Sequence, residues 1–260
     1  MPSYVIHYIC GNKLIENYKV SSKDKSLFLI GNLIPDSSKV LGNIETASLP
    51  GDFRKRNRDK IQTEKLLTHF RDEKDHDSVV MLPYPEKFKE KYDIRDLISL
   101  GYYYHLFTDK YFFSEIWKSS FTFLTDTYQE TASKKEAKYV LIKKNNKIIP
   151  IKDFYSSKHL YNDYTIMNKL LLDNFNISFN SEELLRYLAD IKNNIEEVDF
   201  NNLESVIKDT LFYISESQNI SNEELEVFDK DVIINFINEL NKKFAKENHR
   251  ILKKIGLKKC

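Results

Sequence analysis

The amino-acid sequence predicts an all-α fold: a multi-helical bundle in a single domain spanning 1–260, with a small β-hairpin inserted near 138–151. Three observations carry this expectation. Glycine is scarce, six residues in 260, well below the usual share of roughly 7%. Leu, Lys, Glu and Ile are abundant, and these residues favour helices over a turn-rich β fold. Apolar residues recur at helical spacing along most of the chain, and the main departure is a pair of β-branched runs around Asn145-Asn146. A hydrophobic content of 41%, with 13% aromatic residues, is ample for a core.

Taken in order, 22–30 reads as a brief apolar helix that Gly31-Asn-Leu-Ile-Pro-Asp36 ends, because glycine terminates helices and Pro35 cannot continue one. Residues 37–62 read as a loop with a basic run at Arg54-Lys55-Arg56 and Arg58, and 62–70 as a helix leading to His69. Pro85 opens a short helix. A long helix is expected over 93–120, with Leu97, Gly101, His105, Asp109 and Phe113 in one stripe at intervals of four. Across 138–151, Asn145-Asn146 supplies the positive φ of a tight hairpin turn. Further helices are expected over 156–174, from Asn180 with Glu183 completing a capping box, and over 201–216. The last is expected to start at Ser221, again with a capping box, and to carry Leu225, Phe228, Val232, Phe236, Leu240 and Phe244 on its apolar face. Residues 176–260 read mainly as packing helices.

Several function classes are excluded early. Forty basic residues against 39 acidic ones leave a net charge of +1, which disfavours a globally basic nucleic-acid binder. Two cysteines build no disulfide framework. No apolar run approaches the roughly 18–20 residues of a membrane span. No basic-then-apolar leader is visible at the N-terminus, so the expected location is cytoplasmic. There is no Walker loop, no GxGxxG after a strand, no GxSxG and no CxxC.

The chemistry-bearing residues are histidines and aspartates. In His105-Leu-Phe-Thr-Asp109 the two side chains share a helix face, with Cβ atoms about 5–6 Å apart. An imidazole nitrogen and a carboxylate oxygen so placed can ligate one Zn²⁺ at about 2.0–2.2 Å, and Gly101 one turn earlier leaves room for a ligand. The plainer alternative is a His–Asp hydrogen bond within the core. His159-Leu-Tyr-Asn-Asp163 repeats the spacing. Asp36 follows a rigid proline, and reads either as a ligand or as a helix N-cap. His76-Asp77 lies in a strongly charged stretch, and reads either as a metal pair of the HD phosphohydrolase kind or as a solvated loop. Arg54 and Arg56 could attract a phosphate, or form an exposed charged loop.

In order along the chain, His7-Tyr8, Gly31-Asn-Leu-Ile-Pro-Asp36, His69-Phe70 and Leu100-Gly-Tyr-Tyr-Tyr-His105-Leu-Phe-Thr-Asp109 resemble the zinc-dependent phospholipase C family, over roughly 1–115. That resemblance implies an all-helical protein holding two or three zinc ions that hydrolyse a phosphate ester, a metal-activated hydroxide attacking phosphorus. By it, Asp36, His69, His105 and Asp109 ligate one zinc, and His7 and Asp109 serve a second, with Asp109 bridging. The secreted enzymes use a freed amino terminus as a further ligand, whereas here His7 lies six residues from Met1. The family places a histidine after the HxxxD aspartate and then an HxxxE pair for a third metal. Glu115, His159 and Asp163 are the residues that would stand in. Asp36 is the expected general base, and Tyr104 is a candidate for the pocket lining, with Arg54 and Arg56 for the substrate. Iron or manganese also suits such mixed ligands. The expected substrate is a small phosphoester or a phospholipid head group. Two other readings stay open: an HD-type phosphohydrolase using His69, His76-Asp77 and Asp109, and a non-catalytic helical metal-binding or interaction protein.

Overall fold

In the computed structural model, the described residues are 3–37, 67–72, 75, 77–192, 194–198, 200–220, 224–256 and 258–259. The chain is predominantly helical with one small three-stranded sheet, as the sequence predicts.

Helix α1, Tyr4–Ile15, starts where the Ser3 hydroxyl accepts from the Ile6 N–H at 3.2 Å. Every residue of α1 except Lys13 is buried, so it runs through the middle of the molecule. Helix α2, Ser22–Leu33, is capped by Ser21 in the same way. It does not stop at Gly31. It continues to Leu33 and tightens into a 3₁₀ turn, Ile34–Asp36, with Pro35 in its first turn. The sequence expectation fails here because Gly31 serves packing. A Cβ built on Gly31 would lie 2.2 Å from the Ile98 carbonyl oxygen, and one on Gly101 would lie 2.1 Å from the Phe28 carbonyl oxygen. Helix α2 and the helix that carries Ile98 and Gly101, Leu97–Tyr111, therefore cross with their backbones in direct contact. That contact also corrects the expected role of Gly101: the space beside it is filled by α2 and is not open to a ligand.

Helix α3, Pro85–Lys91, has its proline in the first turn. Helix α4, Leu97–Tyr111, begins after Asp96, whose carboxylate accepts from Ser99 N–H at 2.9 Å. The long helix expected over 93–120 is thus shorter at its start. It then widens into a π-helical stretch, Phe112–Trp117, and ends in a last turn, Lys118–Ser120. The chain next forms strand β2, Phe121–Leu124, which the sequence reading lacked. It pairs antiparallel with β3, Tyr139–Ile142, and β3 pairs with β4, Lys147–Pro150. The hairpin turn holds Asn146 at φ 56°. A two-residue strand β1, Tyr18–Lys19, pairs with β5, Lys258–Lys259.

Helix α5, Ile151–Phe154, precedes α6, Leu160–Phe175, and then α7, Ser181–Leu188. Asn180 accepts from Glu183 N–H at 3.0 Å, the cap expected from the sequence. Helix α8 is Leu203–Gln218 and α9 is Lys230–Glu247, followed by α10, His249–Lys254. The start of α9 is a correction: its N-cap is Asp229, and Leu225, Val227 and Phe228 are buried in a loop before it. Ser221 lies outside the described residues. One continuous hydrophobic core links α1, α2, α4, the sheet and the C-terminal helices. Among the described residues, no helix is long and apolar enough to cross a membrane.

Candidate metal centre

Four pieces of backbone meet at one buried point. Helix α1 contributes His7, the 3₁₀ turn after α2 contributes Asp36, the turn at 67–70 contributes His69, and α4 contributes His105 and Asp109. All five residues are 0% exposed. Two overlapping groups bring their ligand atoms within 4.8 Å of one another: His7, Asp36 and His105 in one, and His69, His105 and Asp109 in the other. The spacing of four on α4 puts His105 and Asp109 on the same face, and the backbone contact at Gly31 and Gly101 brings that face against the Asp36 turn.

The contacts within the group are ordered. Asp109 Oδ1 lies 3.3 Å from His7 Nε2, and Oδ2 lies 3.7 Å from His69 Nε2, so each oxygen faces a different histidine. Asp36 Oδ1 is 3.5 Å from His69 Nε2. The His7 and His105 rings stack at 3.6 Å between centroids, 11° from parallel. His105 Nδ1 lies 2.8 Å from the Asn32 carbonyl oxygen. A carbonyl only accepts, so Nδ1 carries the proton and Nε2 presents a lone pair to the centre. That Nε2 stands 3.4 Å from His69 Nε2. On the far side of His69, Nδ1 meets the Thr68 hydroxyl at 3.0 Å, and the Tyr102 hydroxyl donates to the Thr68 carbonyl oxygen. These outer partners orient the rings, as the surroundings of metal-binding histidines commonly do.

The donor set fits a divalent cation. Among the described residues, neither oxygen of Asp109 and neither ring nitrogen of His7 has a hydrogen-bond partner, although all are fully buried. Leaving such groups without a donor costs several kcal/mol. A cation among them removes that cost, and mixed imidazole and carboxylate ligands suit zinc, iron or manganese.

Electrostatics follow the burial. Burial lowers the His69 pKa to about 4, against the opposing pull of Asp36. Burial and neighbouring His7 push His105 well below the usual histidine range. Burial would raise the Asp109 pKa, but its contact with His7 and the other nearby imidazoles hold it below the ordinary carboxylate value. Because the His69 pKa falls on folding, the unfolded chain binds more protons between about pH 4 and pH 6.5. The metal-free protein should therefore be fully stabilised above pH 6.5 and weaken as the pH falls towards 4. A drop of about 2 kcal/mol between pH 7 and pH 5 is expected, read from urea unfolding after chelation. A slope no steeper than that of His69→Gln would contradict this assignment.

No family model matches the chain, and neither does any curated protein or solved structure.

Several residues read from the sequence as site candidates lie elsewhere. Glu115 is exposed, in a surface groove with Tyr111, Lys243 and Lys246, because six residues beyond Asp109 leads round to another side of the helix. Asp163 is saturated by the backbone: its carboxylate accepts from the N–H groups of Glu226, Val227 and Phe228 at 2.9, 2.7 and 2.9 Å. His159 pairs through Nδ1 with Glu226. The His159–Asp163 pair thus anchors the loop before α9 and belongs to neither of the two groups found among the described residues. Tyr104 is also a correction. It points to the opposite face of α4, where its hydroxyl meets Asn241 and the Cys10 carbonyl oxygen. Asp77 is exposed and pairs with Lys135 at 3.1 Å, away from the centre, which removes half of the proposed HD pair. His76, Arg54 and Arg56 lie outside the described residues.

One residue of the centre had no place in the sequence reading. Arg71 has a side chain only 5% exposed, and its guanidinium nitrogen lies 3.5 Å from Asp109 Oδ2. It also sits over the Phe113 ring, 5.9 Å from the centroid. The charged stretch that follows it reads as solvated, which masked it. The usable signal was its position two residues after His69.

Proposed function

We propose that this chain is a metal-dependent hydrolase of phosphate esters, resembling zinc-dependent phospholipase C. The observation that carries the proposal is the Asp109 carboxylate, whose two oxygens face His7 and His69 in a fully buried setting. A bridging carboxylate between two cation positions needs that arrangement. Asp36, His69, His105 and Asp109 would hold one cation, and His7 with Asp109 would serve the other.

Divalent cations held there supply Lewis acidity and a lowered pKa for water. The chain supplies the rest. Asn32 and Thr68 fix the imidazoles with their Nε2 atoms inward. Asp36, held by the rigid Pro35 turn beside His69, is assigned the role of proton acceptor. The apolar surroundings on α1 and α4 exclude bulk water and strengthen every charge interaction within. The substrate class is a small phosphoester or a phospholipid head group.

The test combines metal analysis by mass spectrometry with turnover of p-nitrophenyl phosphate, bis-p-nitrophenyl phosphate and phosphatidylcholine vesicles. Purified protein is expected to carry bound metal and to turn over at least one of these. Chelation should abolish the activity, and His105→Ala should lower it by about 100-fold or more. Less than about half an equivalent of metal per chain, after incubation with zinc, would remove the basis of the proposal.

A further inference from the structure

We infer that Asn32 is a positioning residue for both cation positions: its side-chain amide holds α1 at His7 while its main-chain carbonyl aims His105, so that one residue keeps the two ligands aligned. The inference rests on the metal-dependent reading above and concerns a side chain outside the ligand set.

The first support is the way His7 is held. His105 is steered through Nδ1 by the Asn32 carbonyl oxygen at 2.8 Å, and His69 through Nδ1 by the Thr68 hydroxyl at 3.0 Å. Among the described residues, His7 Nδ1 has no such partner. Its ring is placed by the α1 backbone and by the stack on His105, 3.6 Å between centroids. Asn32 stands behind both. Its side-chain nitrogen donates to the His7 carbonyl oxygen, and because a carbonyl only accepts, the NH₂ end of the amide faces α1. Its own carbonyl oxygen sets the ring against which His7 stacks. An imidazole ligates best when its lone pair points at the cation, so contacts that aim the ring tune the affinity.

The second support is the space made for this amide. Asn32 is the penultimate residue of α2 and is fully buried. On one side, a Cβ built on Gly101 would lie 2.8 Å from the Asn32 amide nitrogen, so the Asn32 backbone is pressed against α4. On the other side stands Gly11, one turn after His7, where a Cβ would lie 2.6 Å from Asn32 Nδ2. Glycine is unfavourable inside a helix. At Gly11 the missing side chain is what lets the amide reach the α1 backbone. Asn32 therefore sits where α1, α2 and α4 meet, with one hydrogen bond toward each ligand-bearing helix.

The test is calorimetric titration of zinc into the chelator-stripped full chain, for wild type, Asn32→Ala, Gly11→Ala and the double variant, with circular dichroism on the same samples. Every variant keeps the Asn32 main-chain carbonyl, so only the hold on α1 is lost. Wild type should bind two zinc ions. Asn32→Ala should bind the His7-side ion about 10-fold or more weakly and the His69-side ion within about threefold of wild type. Gly11→Ala should show the same selective loss, and the double variant no greater loss than either alone, because both changes break one contact. Asn32→Ala that binds both ions within about twofold of wild type overturns the inference and leaves the metal reading intact. An equal loss at both positions also overturns it, since it marks the side chain as structural only. Should Asn32→Ala fail to fold, Gly11→Ala decides: a selective loss of about 10-fold supports the inference, and wild-type affinity overturns it. A wild-type protein that takes up no zinc ends both readings together.

Discussion

Replacing Asp109 by alanine is expected to remove more than one metal equivalent per chain. The reason is geometric: its two carboxylate oxygens face His7 and His69 separately, at 3.3 and 3.7 Å, from inside the core. A side chain that completes only one cation position would release at most one equivalent. Mass spectrometry on protein reloaded with zinc and passed through a desalting column reads the difference directly. Asp109→Asn serves as a shape-matched control, since it keeps the volume and loses the charge. It should also release more than one equivalent, because an amide is a far weaker ligand. Retention of the full wild-type metal complement in both variants would rule out a bridge. Removing His7 should spare the His69 side, so its loss of metal should be smaller.

Gly101→Ala is expected to destabilise the fold by more than about 4 kcal/mol, or to prevent folding. The new Cβ would lie 2.1 Å from the Phe28 carbonyl oxygen and 2.8 Å from the Asn32 amide nitrogen. Both atoms are backbone and cannot rotate away, so α2 and α4 must separate. Separation would also pull the Asn32 carbonyl from His105 and shift Asp36 relative to Asp109. Metal affinity should fall with stability. Gly11→Ala provides the contrast, because its Cβ would meet the Asn32 side-chain amide at 2.6 Å, which can shift at the loss of a bond to the His7 carbonyl oxygen. Denaturant midpoints for the two variants measure the difference. A Gly101→Ala protein within about 1 kcal/mol of wild type would mean that the helix crossing is looser than the geometry states.

The helical class, the hairpin and the start of α7 were legible because they depend on local signals. Glycine scarcity, paired β-branched runs and an asparagine cap each act within a few residues of chain. The same reasoning misread Gly31, since a glycine that ends a helix and one that lets two helices touch look alike in sequence. It missed β2, whose four residues are too few to show an alternation until the register with β3 is known. It began α9 too early, because Leu225 and Phe228 fit the spacing but are held as a loop by the distant Asp163. Helices α1 and α4 carry little amphipathic pattern, since nearly all of their residues are buried.

For the site, His7, Asp36, His69, His105 and Asp109 were legible as an ordered set, and the structure brings them together. Glu115, His159 and Asp163 were not separable from them by residue type alone. What distinguishes them is the third dimension: one is exposed, and the other two are used up by neighbours on another part of the chain. Arg71 was hidden by the opposite effect, a charged residue whose surroundings read as surface but whose guanidinium is inside.

The four backbone pieces that meet at the centre are spread across the first 109 residues of the chain. Closing loops of that length carries an entropy penalty that grows only slowly with size, but it falls due before any reward arrives. Helix α4, bearing His105 and Asp109, is the last piece to leave the ribosome. Until it docks on α1 and α2, the earlier histidines have no common focus. On the metal-dependent reading, the nascent chain should thus be blind to metal until His105 and Asp109 have emerged, acquiring the affinity in one step as α4 locks into place.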